Sequence, residues 1–365
     1  MNQTKPLKIA YIIPSLDAGG AERFILDLIG NLDLSRFTPT LILFGHGGFF
    51  EAEARRLGIE LVVLKERFKF DLINFFKLYI AVKRVSPDIV HTQLGGDIYG
   101  RLVAHWLRVP VIVSTEQNVQ VGEPGLIRAI KAWTAKFADK IVAISSAVKS
   151  DIISRYGVPG DKVELIYNGL EVDRFWVETR RKRGQKIILG SMGRLTSQKN
   201  YALLFEALAQ LKDLNWEFRL AGEGELRPEL EHKIKDLGLT NRVHLLGLQR
   251  DVKSFFSDLD VFILPSLWEG LGIVLLEAGL AGLPVVASRV DGICEVIKEG
   301  ETGILFNSND QADLVTKLTK VLNQIDQPET TELGKKLQSD IKSRFDIKII
   351  ASEYQALYLK LLAKK

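Results

Sequence analysis

The amino-acid sequence predicts an α/β protein of two Rossmann-like, doubly wound domains. Three observations carry that prediction. Short apolar runs bounded by Gly, Pro, Asn or Asp alternate with amphipathic helical patterns through both halves, the order that builds parallel sheets covered on both faces. Each half opens on an apolar strand that runs into a glycine turn and then a helix, at 8–32 and again at 186–211. A length of 365 residues also suits two domains of ordinary size.

Composition narrows the function classes. Hydrophobic residues make up 46% of the chain and charged residues 26%, the balance of a soluble protein with a large core. A net charge of +4 is too mild to argue for a nucleic-acid partner, although it leaves room for a local basic patch. The single cysteine, Cys294, excludes an internal disulfide and fits a reducing cytosol. The opening residues, MNQTKPLKIAYIIPSL, lack the pattern of a secretory leader, and their apolar run reads as a first strand. The apolar stretch 270–287 contains Glu277 and Pro284, which argues against a membrane span. A cytoplasmic location is expected.

In the first half, strand 8–14 leads into Asp17-Ala18-Gly19-Gly20-Ala21-Glu22 and a helix over 21–32. A Gly-Gly loop that opens a helix after strand one is where an α/β sheet takes ligands, but a tight turn needing glycine dihedrals explains the pair equally well. Further strands are expected at 40–44, 60–64, 88–91, 111–115, 140–144 and 163–167. Ligands gather at the carboxyl ends of such strands, which selects His46, His91, Gln93, Glu116, Gln117 and Asn118. His105 falls in a helical pattern and reads as structural. Segments 68–85 and 125–138 are apolar, with Arg67, Lys69, Lys83 and Arg84 around the first and Arg128, Lys131 and Lys136 within the second, which also holds Trp133. Each either packs on its own sheet with solvated lysines or lies on an anionic membrane surface.

Residues 171–185 carry Arg180, Arg181, Lys182 and Arg183 and read as a solvated linker. The second half starts with strand 186–192, then Gly193-Arg194-Leu195, Gln198-Lys199-Asn200 and a helix over 201–211. A glycine turn with two cations just before a helix start suits a diphosphate. Strands 218–221 and 243–246 each run into a glycine, Gly222 and Gly247. Asp258-Leu259-Asp260 has the form of a metal–diphosphate motif, but Asp260 opens the buried strand 261–264 and reads as structural. No His/Cys ligand cluster is present and Arg194 and Lys199 can carry the charge, so no metal is expected; nor is an organic cofactor, since no pyridoxal-binding lysine pocket is signalled. The stretch 264–288, LPSLWEGLGIVLLEAGLAGLPVVAS, reads as strand end, glycine turn at Gly270, Leu271 and Gly272, helix 273–280 and strand 285–288. Two carboxylates interrupt it, Glu269 and Glu277, and in so apolar a setting each needs a partner. A short strand at Gly303 and Leu305 and helices over 311–322, 332–345 and 349–362 complete the chain.

Glu269 and Glu277 form Glu-x7-Glu inside Pro-Ser-x-x-Glu-Gly-x-Gly, and Gly193, Arg194 and Lys199 fit Gly-Arg-x-x-x-x-Lys. On these residues the sequence resembles the retaining GT-B glycosyltransferases of the family 4 type. The likeness spans nearly the whole chain and is strongest from 187 to 306. It implies an acceptor-binding domain at 1–170, the linker 171–185, a nucleotide-sugar-binding domain at 186–345 and a last helix, 346–365, returning to the first domain, with the substrates in a cleft between the domains. It implies that Glu269 contacts the donor sugar, Glu277 holds the ribose hydroxyls, and Arg194 and Lys199 stabilise the departing nucleoside diphosphate. Gly19, Gly20, Gly193, Gly222, Gly247, Gly270, Leu271 and Gly272 would line the donor, and His91 and Asn118 would face the acceptor. The implied donor is a nucleoside-diphosphate sugar, UDP ahead of GDP. The implied acceptor is a saccharide or lipid-linked saccharide of envelope polysaccharide, lipopolysaccharide or glycolipid synthesis, met at the inner membrane face.

The sequence also departs from that family. Leu271 stands where Phe is usual, and His91-Thr92-Gln93 where many members have His-x-His. Thr115-Glu116-Gln117 stands where they carry Thr-x-His, so Gln117 takes the place of the active-site histidine. Glutamine can donate and accept a hydrogen bond but cannot carry a proton at neutral pH. Retaining transfer of this type is thought to use the leaving phosphate as the base. Two other readings stay open: a nucleotide-sugar-binding subunit without activity, and another GT-B enzyme such as a nucleotide-sugar epimerase.

Overall fold

The computed structural model describes residues 5–66, 71–177, 184 and 186–365. Arg67, Phe68 and Lys69 of the first basic-apolar segment, and Arg180, Arg181, Lys182 and Arg183 of the expected linker, lie outside the described residues. The chain divides into two compact units, one of residues 1–169 with 347–365, the other of residues 170–346.

The first unit is built on seven parallel strands: β1 (Leu7–Ile13), β2 (Phe37–Leu43), β3 (Glu60–Val63), β4 (Ile89–Gln93), β5 (Val111–Glu116), β6 (Lys140–Ala143) and β7 (Val163–Leu165), in the order β3-β2-β1-β4-β5-β6-β7. Residues 9–13 of β1 are fully buried, as a central strand covered on both faces requires. Strand β2 starts at Phe37, three residues before the expected start. Pro39 pairs with Ile9 of β1, while the pairing with β3 begins only at Thr40. The proline thus stands where β2 has one neighbour and its missing N–H costs no ladder bond. The last helix, Ile347–Leu362, belongs to this unit and buries Ile347, Ile350, Tyr354, Tyr358 and Leu361 in the same core as β1.

The second unit holds six parallel strands: β8 (Ile187–Met192), β9 (Trp216–Ala221), β10 (Val243–Gly247), β11 (Val261–Leu264), β12 (Val285–Arg289) and β13 (Ile304–Asn307), ordered β10-β9-β8-β11-β12-β13. Trp216, Phe218, Phe205 and Tyr201 fill its core. Residues 171–177, expected within the linker, are part of this unit; Val172 and Phe175 of the helical turn Val172–Phe175 are buried. The helix expected from 332 begins at Pro328, because proline is well suited to a first helical position. Asp260 accepts the amide of Ile188 at 2.7 Å, so the carboxylate that sequence reading set aside as structural joins β8 to β11.

Both sheets reverse their winding direction once, between β1 and β4 and between β8 and β11. In open α/β sheets the crevice at that reversal, beyond the carboxyl ends of the strands, is where ligands bind. The strand order alone therefore directs attention to the segments after Ile13, Gln93, Met192 and Leu264.

Candidate active site

In the second unit, the segments leaving β8 and β11 carry the residues that spacing singled out. Lys199 closes the short 3-10 turn Ser197–Lys199, and Glu269 lies five residues beyond the end of β11. Lys199 Nζ stands 2.6 Å from Glu269 Oε1, and the Ser266 hydroxyl donates to the same oxygen at 2.6 Å. The pair is largely buried, with side chains 13% and 8% exposed. The Ser288 hydroxyl at the end of β12 donates to the carbonyl of Ser266, tying that donor in place. Gln198 reaches the Trp268 carbonyl at 2.9 Å and Glu269 Oε2 at 3.5 Å. Arg194 is exposed, and no carboxylate among the described residues lies within ion-pair distance of it. Glu277, on the helix Ile273–Leu280, is half-buried.

Glycines at the ends of β8, β9 and β10 meet at one seam. The Gly222 amide donates to the Gly247 carbonyl at 2.8 Å, and the Gly193 amide to that of Ala221 at 3.0 Å. Gly222 has φ +135°, and a Cβ there would fall 2.0 Å from the Gly193 carbonyl oxygen. No larger residue fits there without displacing the Gly193 carbonyl. Gly272, in the left-handed region at φ +80°, caps the helix Ile273–Leu280. The Leu271 side chain is buried, as an apolar group between two glycines at a core helix start would be.

The first unit is less as expected. Gly19 is extended and Gly20 already helical, so neither needs glycine dihedrals and the tight-turn explanation fails. His91 is a correction. It is fully buried, with Nδ1 2.6 Å from the Tyr358 hydroxyl and Nε2 2.7 Å from Thr115 Oγ1. Its ring stacks on Tyr354 at 5.5 Å, and burial pushes its pKa down to about 3. It is a neutral core histidine, with both nitrogens engaged, and does not face an acceptor. Gln93, one step further on, is buried at the strand end and donates to the Ala21 carbonyl at 3.0 Å. Gln117 and Asn168 exchange amide hydrogen bonds, at 2.5 and 3.5 Å. Asn118 accepts the Val119 amide at 3.0 Å. Glu116 turns inward: Arg101, itself fully buried, lies 3.7 Å from it and 3.9 Å from Asp97, and donates to Ser114 at 2.7 Å. Burial, then the Glu116 carboxylate, push Asp97 up to about 7 against the pull of Arg101.

The two basic-apolar segments turn apolar side chains outward. Leu72, Ile73, Phe76 and Ile80 of the helix Leu72–Val85 are exposed, as are Trp106, Leu126 and Trp133. Exposed Lys77, Lys83, Arg84, Arg128 and Lys136 accompany them. Lys131 does not, because it pairs with Glu123 at 2.8 Å and is mostly buried. Among the described residues no helix is long and apolar enough to cross a membrane.

Ser266, Ser288 and Gln198 were not assigned roles from the sequence. Only Ser266 had a local signal, as part of Pro-Ser-x-x-Glu.

The model of "Glycosyl transferases group 1" matches residues 173–338, and that of "Glycosyltransferase Family 4" matches residues 18–174. The chain belongs to the group 1 glycosyltransferases. Among its curated relatives, the Escherichia coli UDP-Gal:alpha-D-GlcNAc-diphosphoundecaprenol alpha-1,3-galactosyltransferase is 27% identical over 316 residues, 81% of each chain. The Campylobacter jejuni GalNAc-alpha-(1->4)-GalNAc-alpha-(1->3)-diNAcBac-PP-undecaprenol alpha-1,4-N-acetyl-D-galactosaminyltransferase is 29% identical over 377 residues, 98% of this chain and 99% of its own. Among solved structures, Anabaena HepE in complex with UDP and glucose superposes with a TM-score of 0.86 at 21% identity, covering 97% of this chain and all of that one. That likeness places the chain in the same GT-B fold class.

Proposed function

We propose that this glycosyltransferase moves a sugar from a UDP-sugar to a hydroxyl of a lipid-linked saccharide, with retention of anomeric configuration. The observation that carries the reading is the Lys199–Glu269 pair, at 2.6 Å, beyond the two strands where the second sheet reverses. A cation and a carboxylate held together there suit a ligand that is a diphosphate at one end and a polyol at the other. The names of the relatives support the substrate classes: one uses UDP-Gal, and both act on diphosphoundecaprenol- or PP-undecaprenol-linked saccharides.

In this reading the bond between the sugar's anomeric carbon and the diphosphate oxygen breaks. The acceptor hydroxyl oxygen bonds that carbon on the face just vacated, and its proton passes to the leaving diphosphate. Arg194 and Lys199 offset the negative charge that builds on the leaving group, which needs no metal. Glu269 holds sugar hydroxyls and Glu277 the ribose. A glutamine at position 117 is compatible, because no protein base is asked for. Thermal shift with UDP-, GDP- and ADP-sugars comes first, since a ligand of the native state raises the melting point. Nucleotide release in the presence of a diphosphoundecaprenol-linked saccharide follows, with Glu277→Ala as control. If no UDP-sugar raises the melting point, the reading fails.

The acceptor's lipid implies a membrane surface. The outward apolar side chains Leu72, Ile73, Phe76, Ile80, Trp106, Leu126 and Trp133, among exposed lysines and arginines, suit the headgroup region of an anionic bilayer. Co-sedimentation with anionic vesicles at low and high salt tests this, and no binding at low salt would sink it.

A further inference from the structure

Gln198 has no part in the chemistry proposed above, yet it touches the Glu269 segment at three points. Its carbonyl accepts the Leu267 amide at 2.8 Å. Its side-chain amide donates to the Trp268 carbonyl at 2.9 Å and reaches Glu269 Oε2 at 3.5 Å. Glu269 Oε1 is already occupied by Lys199 and Ser266. Oε2 meets only the long, weak approach of Gln198 among the described residues, so most of its acceptor capacity is unused. A buried carboxylate fixed through one oxygen, with the other only weakly engaged, is a preorganised acceptor for a ligand hydroxyl.

We infer that Gln198 is a positioning residue: its amide holds the 267–269 main chain and aims Glu269 Oε2 at a hydroxyl of the donor's sugar, so it governs recognition of the sugar and not of the nucleotide. The inference rests on the donor reading above. It also joins the two motifs, since Gln198 adjoins Lys199 on one segment and clamps Glu269 on the other.

The test measures UDP and UDP-sugar affinities by calorimetry, with the UDP-hexose that stabilises the unmodified chain most in thermal shift. Gln198→Met keeps the length of the side chain without its donors. It should bind UDP as the unmodified chain does and lose about tenfold in affinity for the UDP-sugar, the factor that one lost hydrogen bond commands. Gln198→Glu sets a second carboxyl beside Glu269. That carboxyl has no lysine of its own, takes a proton first as pH falls, and can then donate to the Trp268 carbonyl. UDP-sugar affinity of this variant should recover in mild acid, which a merely structural defect would not do. Equal UDP-sugar affinity in the unmodified and Gln198→Met proteins overturns the inference and leaves the donor reading standing. So does an equal loss of UDP and UDP-sugar affinity. Absence of UDP binding by the unmodified chain overturns both.

Discussion

Lys199 and Glu269, seventy residues apart in sequence, form a largely buried ion pair whose carboxylate is also bound by Ser266. Taking one partner away leaves the other charge in a site built for two. Breaking a buried pair in this way costs about 3–5 kcal/mol, whereas removing both partners together costs far less. Lys199→Met and Glu269→Gln should each lower stability in urea titrations, and the double variant should be more stable than the sum of the single losses predicts. Additive losses would mean that the two groups are solvated independently.

Arg194 should behave in the opposite way. It is exposed and has no ion pair among the described residues, so Arg194→Ala should change stability by no more than about 0.5 kcal/mol. If it meets the diphosphate, the same variant should weaken UDP binding by about tenfold or more. Melting curves and calorimetry on one sample separate the two effects. A stability loss as large as that of Lys199→Met would contradict the exposed placement.

Gly222→Ala tests the glycine seam. The added methyl would lie 2.0 Å from the Gly193 carbonyl, at a φ of +135° that disfavours any side chain. A loss of about 1–3 kcal/mol is expected from the backbone strain alone, with nucleotide binding impaired as Gly193 is pushed aside. Gly19→Ala is the contrasting case. Gly19 is extended, and only the end of the Glu22 side chain stands in the way, so the loss should be smaller than at Gly222.

The contrast shows what a sequence displays and what it hides. The doubly wound sheets were legible because central strands such as β1 and β11 are covered on both faces and read as unbroken apolar runs. Glu269 and Lys199 were legible because each sits in a local spacing. Their bond to each other, and the Gln198 contact 71 residues along the chain, follow from strand order, which no local pattern carries. His91 was misread for the same reason. Strand-end position suggested a ligand, but its partner Tyr358 comes from a helix 267 residues later that seals it into the core. Lys131 looked solvated from its helical position, and Glu123 on the preceding loop captures it.

The buried groups of the first unit predict an unusual acid response. His91 has its pKa lowered from 6.5 to about 3, so the unfolded chain binds its proton first, and this group makes stability fall as pH drops below about 6.5. Asp97 has its pKa raised from 3.8 to about 7, so the folded chain binds its proton first, and this group makes stability rise as pH drops from about 7 towards 4. Between about 4 and 6.5 the two slopes oppose one another, each worth about 1.4 kcal/mol per pH unit at most. Asp97→Asn keeps an oxygen for the Thr92 hydroxyl, which now donates to Asp97 at 2.8 Å, and removes the titration. The variant should therefore expose the histidine's slope: its melting temperature should fall more steeply than that of the unmodified chain as the pH drops from 6.5 to 4. His91→Gln should show the reverse, losing less stability than the unmodified chain as pH falls. Parallel melting profiles for all three proteins would mean that neither group is held as the structure places it.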